Sequence, residues 1–237
     1  MAMPDLKVKL FADGADVAGM VEMYRRPWIK GFTTNPTLMR KAGVSDYRAF
    51  AREVLAAIPD RPISFEVFSD DFDEMARQAH EIASWGANVN VKIPVTNTRG
   101  EPSYQLIRDL AAAGIMLNVT AVFTLDQVRD VVAHLDPATP AYISLFAGRV
   151  ADTGRDPMPH MAAALKLVHV HPKAELIWAS PREVLNVFHA DAVGCDIITV
   201  TNDLLAKLPA CGKDLAEFSL ETVQMFRNDA VKAGYRL

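Results

Sequence analysis

Short apolar segments alternate with amphipathic segments along the chain. The apolar segments are rich in β-branched and aromatic residues, and their lengths are typical of buried strands. The segments between them repeat apolar residues at the i, i+3, i+4, i+7 spacing of one helix face, as Phe72, Met75, Ala76 and Ala79 do in "DFDEMARQAHEIASWG". We predict eight strands, over residues 8–12, 29–34, 63–67, 89–95, 116–122, 142–148, 175–180 and 196–200.

The repeated order of strand and helix predicts that the strands pair in parallel. Eight such units favour an α/β fold of the closed (β/α)8 TIM barrel type, whose strands are buried on both faces. An open doubly wound sheet is the alternative, although the sequence contains no G-x-G-x-x-G or G-x-x-x-x-G-K-[ST] phosphate turn. We predict one domain over residues 1–237, in which residues 212–237 form a C-terminal helical extension.

Charge and composition narrow the classes of partner. The net charge is −4 and no cluster of five basic residues occurs, so we predict no binding to nucleic acid or to an anionic membrane. No apolar run approaches the roughly 18 residues of a membrane span, and the first residues lack a secretion-signal pattern. We therefore expect a cytoplasmic protein, in which Cys195 and Cys211 are reduced thiols.

Polar residues occur where the predicted strands end, which is the end at which barrel enzymes build their sites. Side chains alternate in direction along a strand, so inward-facing members of this set would converge on one axial cavity. An acid pair and an amine in such a cavity would be costly without a chemical role. The set comprises Asp13, Thr34, Asn35, Glu66, Lys92, Asn118, Thr120, Ser144 and Ser180.

Lys92 is the most informative residue of the set, because it lies in the apolar segment "VNVKIPV". Desolvation disfavours the charged form of an amine, and a neutral amine is a nucleophile that can attack a ketone to form a Schiff base. The protonated imine then stabilises the carbanion that is left when a neighbouring C–C bond breaks. The competing interpretation is a structural ion pair between Lys92 and Glu66.

A metal-dependent mechanism is the other alternative. The six histidines fall in helical or helix-end stretches, away from the strand ends where a zinc-dependent aldolase would place its ligands. We therefore predict that the protein uses no metal and no cofactor.

Four segments resemble the transaldolase family. "KGFTTNPTLM" (30–39) is similar to its T-[ST]-N-P-[ST]-L-[LM] signature, and "VKIPVTNTRG" is similar to its Schiff-base lysine segment. "GIMLNVTAVFTLDQ" (114–127) and "SLFAGRVAD" (144–152) resemble the next two strands. The resemblance covers nearly the whole chain, in the order of the family, and points to its short branch of transaldolases and fructose-6-phosphate aldolases.

The resemblance implies catalytic roles for four residues. Lys92 would form the imine with the ketose donor, and Asp13 would exchange a proton with the hydroxyl next to the bond that breaks. Glu66 would act through a water molecule held with Thr120, in imine formation and hydrolysis. If Asp13 does not serve as the acid, Asp16 is the alternative, although its position also predicts a cap of the first helix.

The resemblance also implies how a sugar phosphate would bind. Asn35 and Asn118 would bind hydroxyls of a dihydroxyacetone unit, with Ser144 near its terminal hydroxyl. Arg149 and Arg182 match the family's phosphate-binding positions, and arginine suits a planar oxyanion. The remaining predicted substrate-binding residues are Thr34, Phe146 and Ser180.

Two positions favour a transferase over an aldolase. The family's aldolases have a glutamine at position 66 and a tyrosine at position 146, whereas this chain has Glu66 and Phe146. One departure is Gly14, where the family has Thr or Ser, so a hydroxyl contact to the donor is missing. We expect a transaldolase acting on fructose 6-phosphate or sedoheptulose 7-phosphate. The alternatives are an aldolase that releases dihydroxyacetone and a non-catalytic barrel that binds sugar phosphates. The family implies a homo-oligomer, a pentamer or decamer.

Overall fold

Parallel strands close into a barrel in which each strand pairs with its neighbours in chain order and the first pairs with the last. The computed structural model describes residues 5–237, and these contain eight strands. The predicted (β/α)8 fold is therefore confirmed, and the open doubly wound sheet is not formed. The strands are β1 Lys9–Asp13, β2 Ile29–Thr33, β3 Ile63–Glu66, β4 Val89–Pro94, β5 Leu117–Val122, β6 Ala141–Leu145, β7 Ala174–Trp178 and β8 Ile197–Thr201.

Helices surround the barrel and shield its outer face. Aspartate side chains accept a hydrogen bond from the first turn of five of them, which is the usual way in which a helix start satisfies its free N–H groups. The helices are α1 Val17–Tyr24, α2 Pro36–Lys41, α3 Tyr47–Ala57, α4 Phe72–Ala83, α5 Tyr104–Ala112, α6 Leu125–His134, α7 Ala147–Asp152, α8 Pro157–Val168, α9 Leu185–Ala192, α10 Asn202–Leu205 and α11 Leu215–Lys232.

The predicted strand bounds agree with the structure within two residues, except at the end of the sixth strand. That strand was expected to continue to residue 148, but β6 ends at Leu145 and α7 begins at Ala147. Gly148 lets α7 pack against the chain that follows β7, because its N–H donates to the Ala179 carbonyl at 3.2 Å and an added Cβ would lie 1.5 Å from the Ser180 carbonyl oxygen. A side chain at residue 148 would prevent this close packing.

A small apolar cluster lies inside the barrel, on the side of β1, β7 and β8. Phe11, Ile177, Ala179 and Ile197 pack together there, separately from the larger core that lies between strands and helices. Gly31 makes room for this cluster, since an added Cβ would lie 2.5 Å from the ring of Phe11. Asp13 and Thr199, at the upper ends of β1 and β8, therefore lie above apolar side chains.

The C-terminal helix is present, but it packs differently from the others. None of the residues of α11 is buried, although it spans 18 residues. Within the described part of the chain, no helix is both long enough and apolar enough to cross a membrane. The large apolar side chains that this region exposes are Leu215, Phe218, Leu220, Val223, Met225, Phe226 and Val231.

Candidate active site

A cavity of about 520 Å³ opens at the carboxyl end of the barrel. Every strand contributes a side chain to it, either from its last residues or from the residue that follows it. This is the end of the barrel where TIM-barrel enzymes carry out their chemistry. One lining residue from each strand or from just after it, in chain order, is Asp13, Thr33, Glu66, Lys92, Thr120, Ser144, Ala179 and Thr199.

Lys92 is almost completely buried, and two oxygen atoms surround its amine. Nζ lies 3.2 Å from Oε2 of Glu66 and donates a hydrogen bond to the carbonyl oxygen of Thr34 at 3.1 Å. Glu66 occupies the paired position on β3, so strand register brings the two side chains together. The ion pair weighed from the sequence is thus formed, and it lies inside the cavity, where the carboxylate is within reach of the amine's proton.

Asp13 is the second acid of the cavity. Thr33 Oγ1 donates to its carboxylate at 2.7 Å and also contacts Thr199 Oγ1. Burial raises the pKa of Asp13, and this effect exceeds the lowering by the charge of Lys92 and by the Thr33 hydrogen bond. A carboxyl group in this setting is suited to take and return a proton at higher pH than an exposed aspartate.

Thr33 and Thr199 were missed in the sequence analysis. Both lie two residues from other cavity-lining polar residues, Asn35 and Thr201. This alternation, read along "FTTN" and "IITVT", was the signal that could have found them. Threonine is common in strands, so the pattern is not distinctive without the partner that each hydroxyl contacts.

Thr120 presents an unpaired hydroxyl. Its Oγ1 is buried and has no hydrogen-bond partner among the described residues. The next residue, Ala121, has a φ of 59°, and the register of β5 against β6 shifts at this point. Ser180, which also lines the cavity, has a φ of 61°. Strain at non-glycine residues of this kind clusters at functional sites.

The structure corrects the prediction for Thr34. Inward positions of β2 and its extension are 33 and 35, so the Thr34 side chain points away from the cavity and its hydroxyl donates to the Ser64 carbonyl at 2.8 Å. Only its own carbonyl oxygen touches the site, as the acceptor for Lys92. The reason is the two-residue period of a strand, which cannot direct two successive side chains to one face.

Asn118 also lies outside the cavity wall. It is fully buried, its Nδ2 donates to Ser64 Oγ at 2.9 Å, and its Oδ1 accepts from Ser144 Oγ at 2.7 Å. Ser144 does line the cavity. Asn118 therefore orients Ser144 from below, and its own binding to a substrate hydroxyl stays a prediction.

Asn35 lines the cavity and also starts α2. Its Oδ1 accepts from the Leu38 N–H at 3.0 Å, so its Nδ2 faces the cavity without a bond among the described residues. Asp16, the alternative acid, caps α1 by accepting from Gly19 N–H at 2.8 Å and does not line the cavity. An added Cβ at Gly14 would meet no atom within 4 Å.

Cationic side chains stand at the rim of the cavity. Arg182 makes two bonds to the carboxylate of Asp152, through Nε at 2.9 Å and through Nη2. Arg149 lies 5.2 Å above the ring of Phe146, which also lines the cavity. The Arg182 hydrogen bond, and the charges of both arginines, lower the pKa of Asp152. Lys41, which the sequence analysis missed, is a third cation at this rim.

Histidine and cysteine side chains take no part in the cavity. Among residues 5–237, no group of three or more His, Cys, Asp or Glu side chains is arranged to hold a metal ion. Cys195 is a buried free thiol and Cys211 a partly buried one.

The chain is similar to known proteins in sequence and in fold. The family model described as transaldolase/fructose-6-phosphate aldolase matches residues 10–237. A probable transaldolase of Dehalococcoides mccartyi is 31% identical over 215 residues, which cover 89% of this chain and 96% of the relative. The probable transaldolase 2 of Listeria monocytogenes is 35% identical over 202 residues, covering 85% of this chain and 88% of the relative.

Solved structures of similar fold are more distant in sequence. A dihydrodipicolinate synthase from Rhodopseudomonas palustris matches with a TM-score of 0.56 and 15% identity, covering 90% of this chain and 79% of that one. An N-acetylneuraminate lyase from Mycoplasma synoviae matches with a TM-score of 0.54 and 10% identity, covering 96% and 78%. At this identity the likeness concerns the barrel fold alone.

Proposed function

The chain belongs to the transaldolase/fructose-6-phosphate aldolase family, and on that premise we propose that it is a transaldolase that acts through a Schiff base on Lys92. It would move a dihydroxyacetone unit from a ketose phosphate to an aldose phosphate. The observation that carries the proposal is a buried amine 3.2 Å from the Glu66 carboxylate, in one cavity with the second acid, Asp13.

Imine formation is the first step. The Lys92 amine, after giving its proton to the neighbouring Glu66, attacks the ketone carbon of the donor and forms a carbinolamine. Loss of water from the carbinolamine needs a proton on the departing hydroxyl, which Glu66 returns through a water molecule held at the Thr120 hydroxyl. The unpaired Oγ1 of Thr120 in the cavity wall supports this role.

Bond cleavage is the second step. The Asp13 carboxylate takes the proton of the hydroxyl next to the bond, the C–C bond breaks, and its electron pair moves into the protonated imine to give an enamine. The aldose phosphate leaves. The enamine then attacks the aldehyde carbon of an acceptor, Asp13 returns its proton to the new hydroxyl, and hydrolysis of the imine frees the product and Lys92.

Substrate binding follows from the polar groups of the cavity. Asn35 and Ser144 are placed to bind hydroxyls of the three-carbon unit, and Asn118 orients Ser144. Arg149 and Arg182 would bind the phosphate at the rim, where a bidentate guanidinium is stronger than an ammonium. Fructose 6-phosphate and sedoheptulose 7-phosphate have the required ketone, hydroxyl and phosphate.

Borohydride trapping tests the covalent step. The wild-type protein incubated with fructose 6-phosphate and borohydride should gain the mass of a reduced dihydroxyacetone adduct, and Lys92→Ala should not. Lys30→Ala is the matched control, because Lys30 is exposed and its one hydrogen bond among residues 5–237 goes to the Pro27 carbonyl. An adduct that persists in Lys92→Ala, or none in the wild type, would contradict the proposal. The second result would favour a non-catalytic sugar-phosphate-binding barrel.

Dependence on an acceptor separates transfer from simple cleavage. A transaldolase turns over a ketose phosphate only when an aldose phosphate acceptor is present, whereas an aldolase releases dihydroxyacetone without one. We expect turnover to require erythrose 4-phosphate or a similar acceptor, because Glu66 and Phe146 occupy the two positions that favour transfer. Equal turnover without acceptor would assign the aldolase activity instead.

A second copy of the chain is the partner that we propose for α11. This helix exposes large apolar side chains and buries none against its own barrel. Exposed apolar surface on this scale is typical of an interface between proteins. The proposal is a homo-oligomer held in part by this helix.

A further inference from the structure

We propose that Tyr47 is a positioning residue that holds Glu66 in place for imine chemistry, an inference that rests on the proposed function of Lys92 and Glu66. Tyr47 is the first residue of α3 and lies outside the barrel wall. Its Oη donates a hydrogen bond to the main-chain carbonyl oxygen of Glu66 at 3.0 Å. Tyr47 does not line the cavity, so it acts on the site only through the residues that it holds.

The Glu66 carbonyl needs this donor because the strand ladder stops short of it. Along β2, the N–H groups of Phe32 and Thr34 donate to every second carbonyl oxygen of the β3 segment, at 2.8 and 3.1 Å. The next donor at the same two-residue step would be residue 36, opposite Glu66. Residue 36 is Pro36, which has no N–H. The Tyr47 hydroxyl supplies the hydrogen bond that the ladder cannot.

The phenol is held rigidly in position. The Tyr47 ring contacts Trp85 edge-on at 5.4 Å between centroids and also packs against Phe65 and Phe68, at 6.2 and 5.9 Å. Burial raises the pKa of Tyr47 well above its usual range, so the hydroxyl keeps its proton and remains a donor. The hydroxyl of Tyr47, at the start of α3, therefore fixes the position of the Glu66 carbonyl oxygen.

The consequence for catalysis lies in the distance between Glu66 and Lys92. The carbonyl that Tyr47 holds belongs to the same residue as the carboxylate that meets Nζ at 3.2 Å. The position of the carboxylate that meets the amine thus depends on this phenol, and a misplacement of about 1 Å in such a site can reduce rates about 10²-fold.

Tyr47→Phe removes the hydroxyl and keeps the ring. We expect kcat and the rate constant for imine formation, measured by borohydride quenching, to fall about tenfold, while KM for the donor changes less than about twofold. Because a partly unfolded variant also lowers the apparent kcat without changing KM, kcat is divided by the concentration of sites that borohydride traps at saturating donor. Two controls address this. Tyr24→Phe removes an exposed phenol that donates to Asp60, and Phe50→Leu loosens the same aromatic cluster without touching a hydroxyl.

Restoring the missing donor gives a second test. In Pro36→Ala/Tyr47→Phe, residue 36 has an N–H again, so kcat should lie within about twofold of Pro36→Ala alone. The single Pro36→Ala variant is the reference because Pro36 lines the cavity. If Tyr47→Phe is recovered unfolded, the double variant decides: a folded protein with the kcat of Pro36→Ala supports the proposal, and an unfolded or tenfold slower one overturns it.

The outcomes separate this inference from the proposed function. Absence of an adduct on Lys92 in the wild type would refute the Schiff-base function whatever Tyr47 does. An adduct in the wild type, together with unchanged kcat and imine formation in Tyr47→Phe, would refute the positioning role alone. Equal losses in Tyr47→Phe and Phe50→Leu would assign Tyr47 to packing and likewise overturn the proposal.

Discussion

Lys92 and Glu66 occupy paired positions on β4 and β3, and their side chains meet at 3.2 Å inside the cavity. A buried ion pair of this kind is weak evidence for stability, since desolvation of both charges offsets most of their attraction. The pair is better explained by chemistry, because a carboxylate at this distance can take the proton that keeps an amine from acting as a nucleophile. In the proposed mechanism the ion pair and the catalytic pair are the same contact.

Asp13→Asn tests the second acid through activity. The amide cannot take the proton of the hydroxyl next to the breaking bond, so kcat should fall by about 10²- to 10⁴-fold. Imine formation depends on Lys92 and Glu66 and should survive, so borohydride should still trap an adduct. Asp16→Asn, at the cap of α1, should keep wild-type activity. If Asp16→Asn is the inactive variant, the alternative acid is the correct one.

The same substitution tests the pKa of Asp13 through stability. Burial raises its pKa above the usual 3.8, so the folded state binds more protons than the unfolded chain between pH 3.8 and the raised value. The free energy of unfolding therefore falls as pH rises through this window. The amide in Asp13→Asn does not titrate, so this variant does not lose stability as the pH rises. Its Tm should exceed that of the wild type at pH 7 and approach it near pH 4. Thermal unfolding at both pH values measures this, and a lower Tm for Asp13→Asn at pH 7 would contradict the raised pKa.

The barrel and the convergence of its polar residues could be predicted because both follow from local periodicity. Alternation of apolar segments set the order of the strands, and the two-residue period placed Glu66 and Thr120 on the inner face. The same period, applied strictly, would have excluded Thr34 in favour of Thr33. The prediction of Thr34 was wrong because the run "TTN" does not show which of its side chains point into the barrel at the end of β2.

Contacts between distant segments could not be predicted from the sequence. Tyr47 reaches the Glu66 carbonyl only because α3 folds back over the end of β3, and nothing in "SDYRAF" indicates this. The bond between Arg182 and Asp152 joins residues 30 positions apart for the same reason. Only the resemblance to a family directed attention to Arg149 and Arg182, since exposed arginines carry no distinguishing pattern.

Gly14 and Gly148 should respond to substitution in opposite ways. A Cβ at Gly14 would meet no atom within 4 Å, so Gly14→Ser should change the free energy of unfolding by less than about 0.5 kcal/mol. Its hydroxyl should lower KM for the donor by restoring the family's side chain beside Asp13. Gly148→Ala would force a Cβ to 1.5 Å from the Ser180 carbonyl and should cost about 3 kcal/mol or more. Urea unfolding of both variants measures the difference, and equal stability would contradict it.

Arg149→Ala and Arg182→Ala test the anion site at the rim. A charge-assisted hydrogen bond to phosphate contributes about 1.5–3 kcal/mol, so each variant should raise KM for fructose 6-phosphate about 10- to 100-fold. Turnover of fructose as an unphosphorylated donor, with glyceraldehyde as an unphosphorylated acceptor, should change little. Arg155→Ala is the matched control, because Arg155 is exposed and bonds to Thr153 outside the cavity. Equal losses with both donors would show that the arginines maintain the fold instead of binding phosphate.

Substitutions in α11 test the proposed association of copies. Leu215, Phe218, Met225 and Phe226 fall on one stripe at i, i+3, i+10 and i+11, and all are exposed. A helix that buries nothing against its own barrel gains little from tertiary packing, so a second copy would supply the missing apolar contact. Light scattering during gel filtration should give a pentamer or decamer for the wild type and a smaller species for Phe218→Glu/Phe226→Glu. Glu217→Lys should leave the mass unchanged.

Because association stabilises by mass action, the wild-type Tm should also rise with protein concentration, and the Tm of Phe218→Glu/Phe226→Glu should not. A monomeric wild type would contradict the proposal.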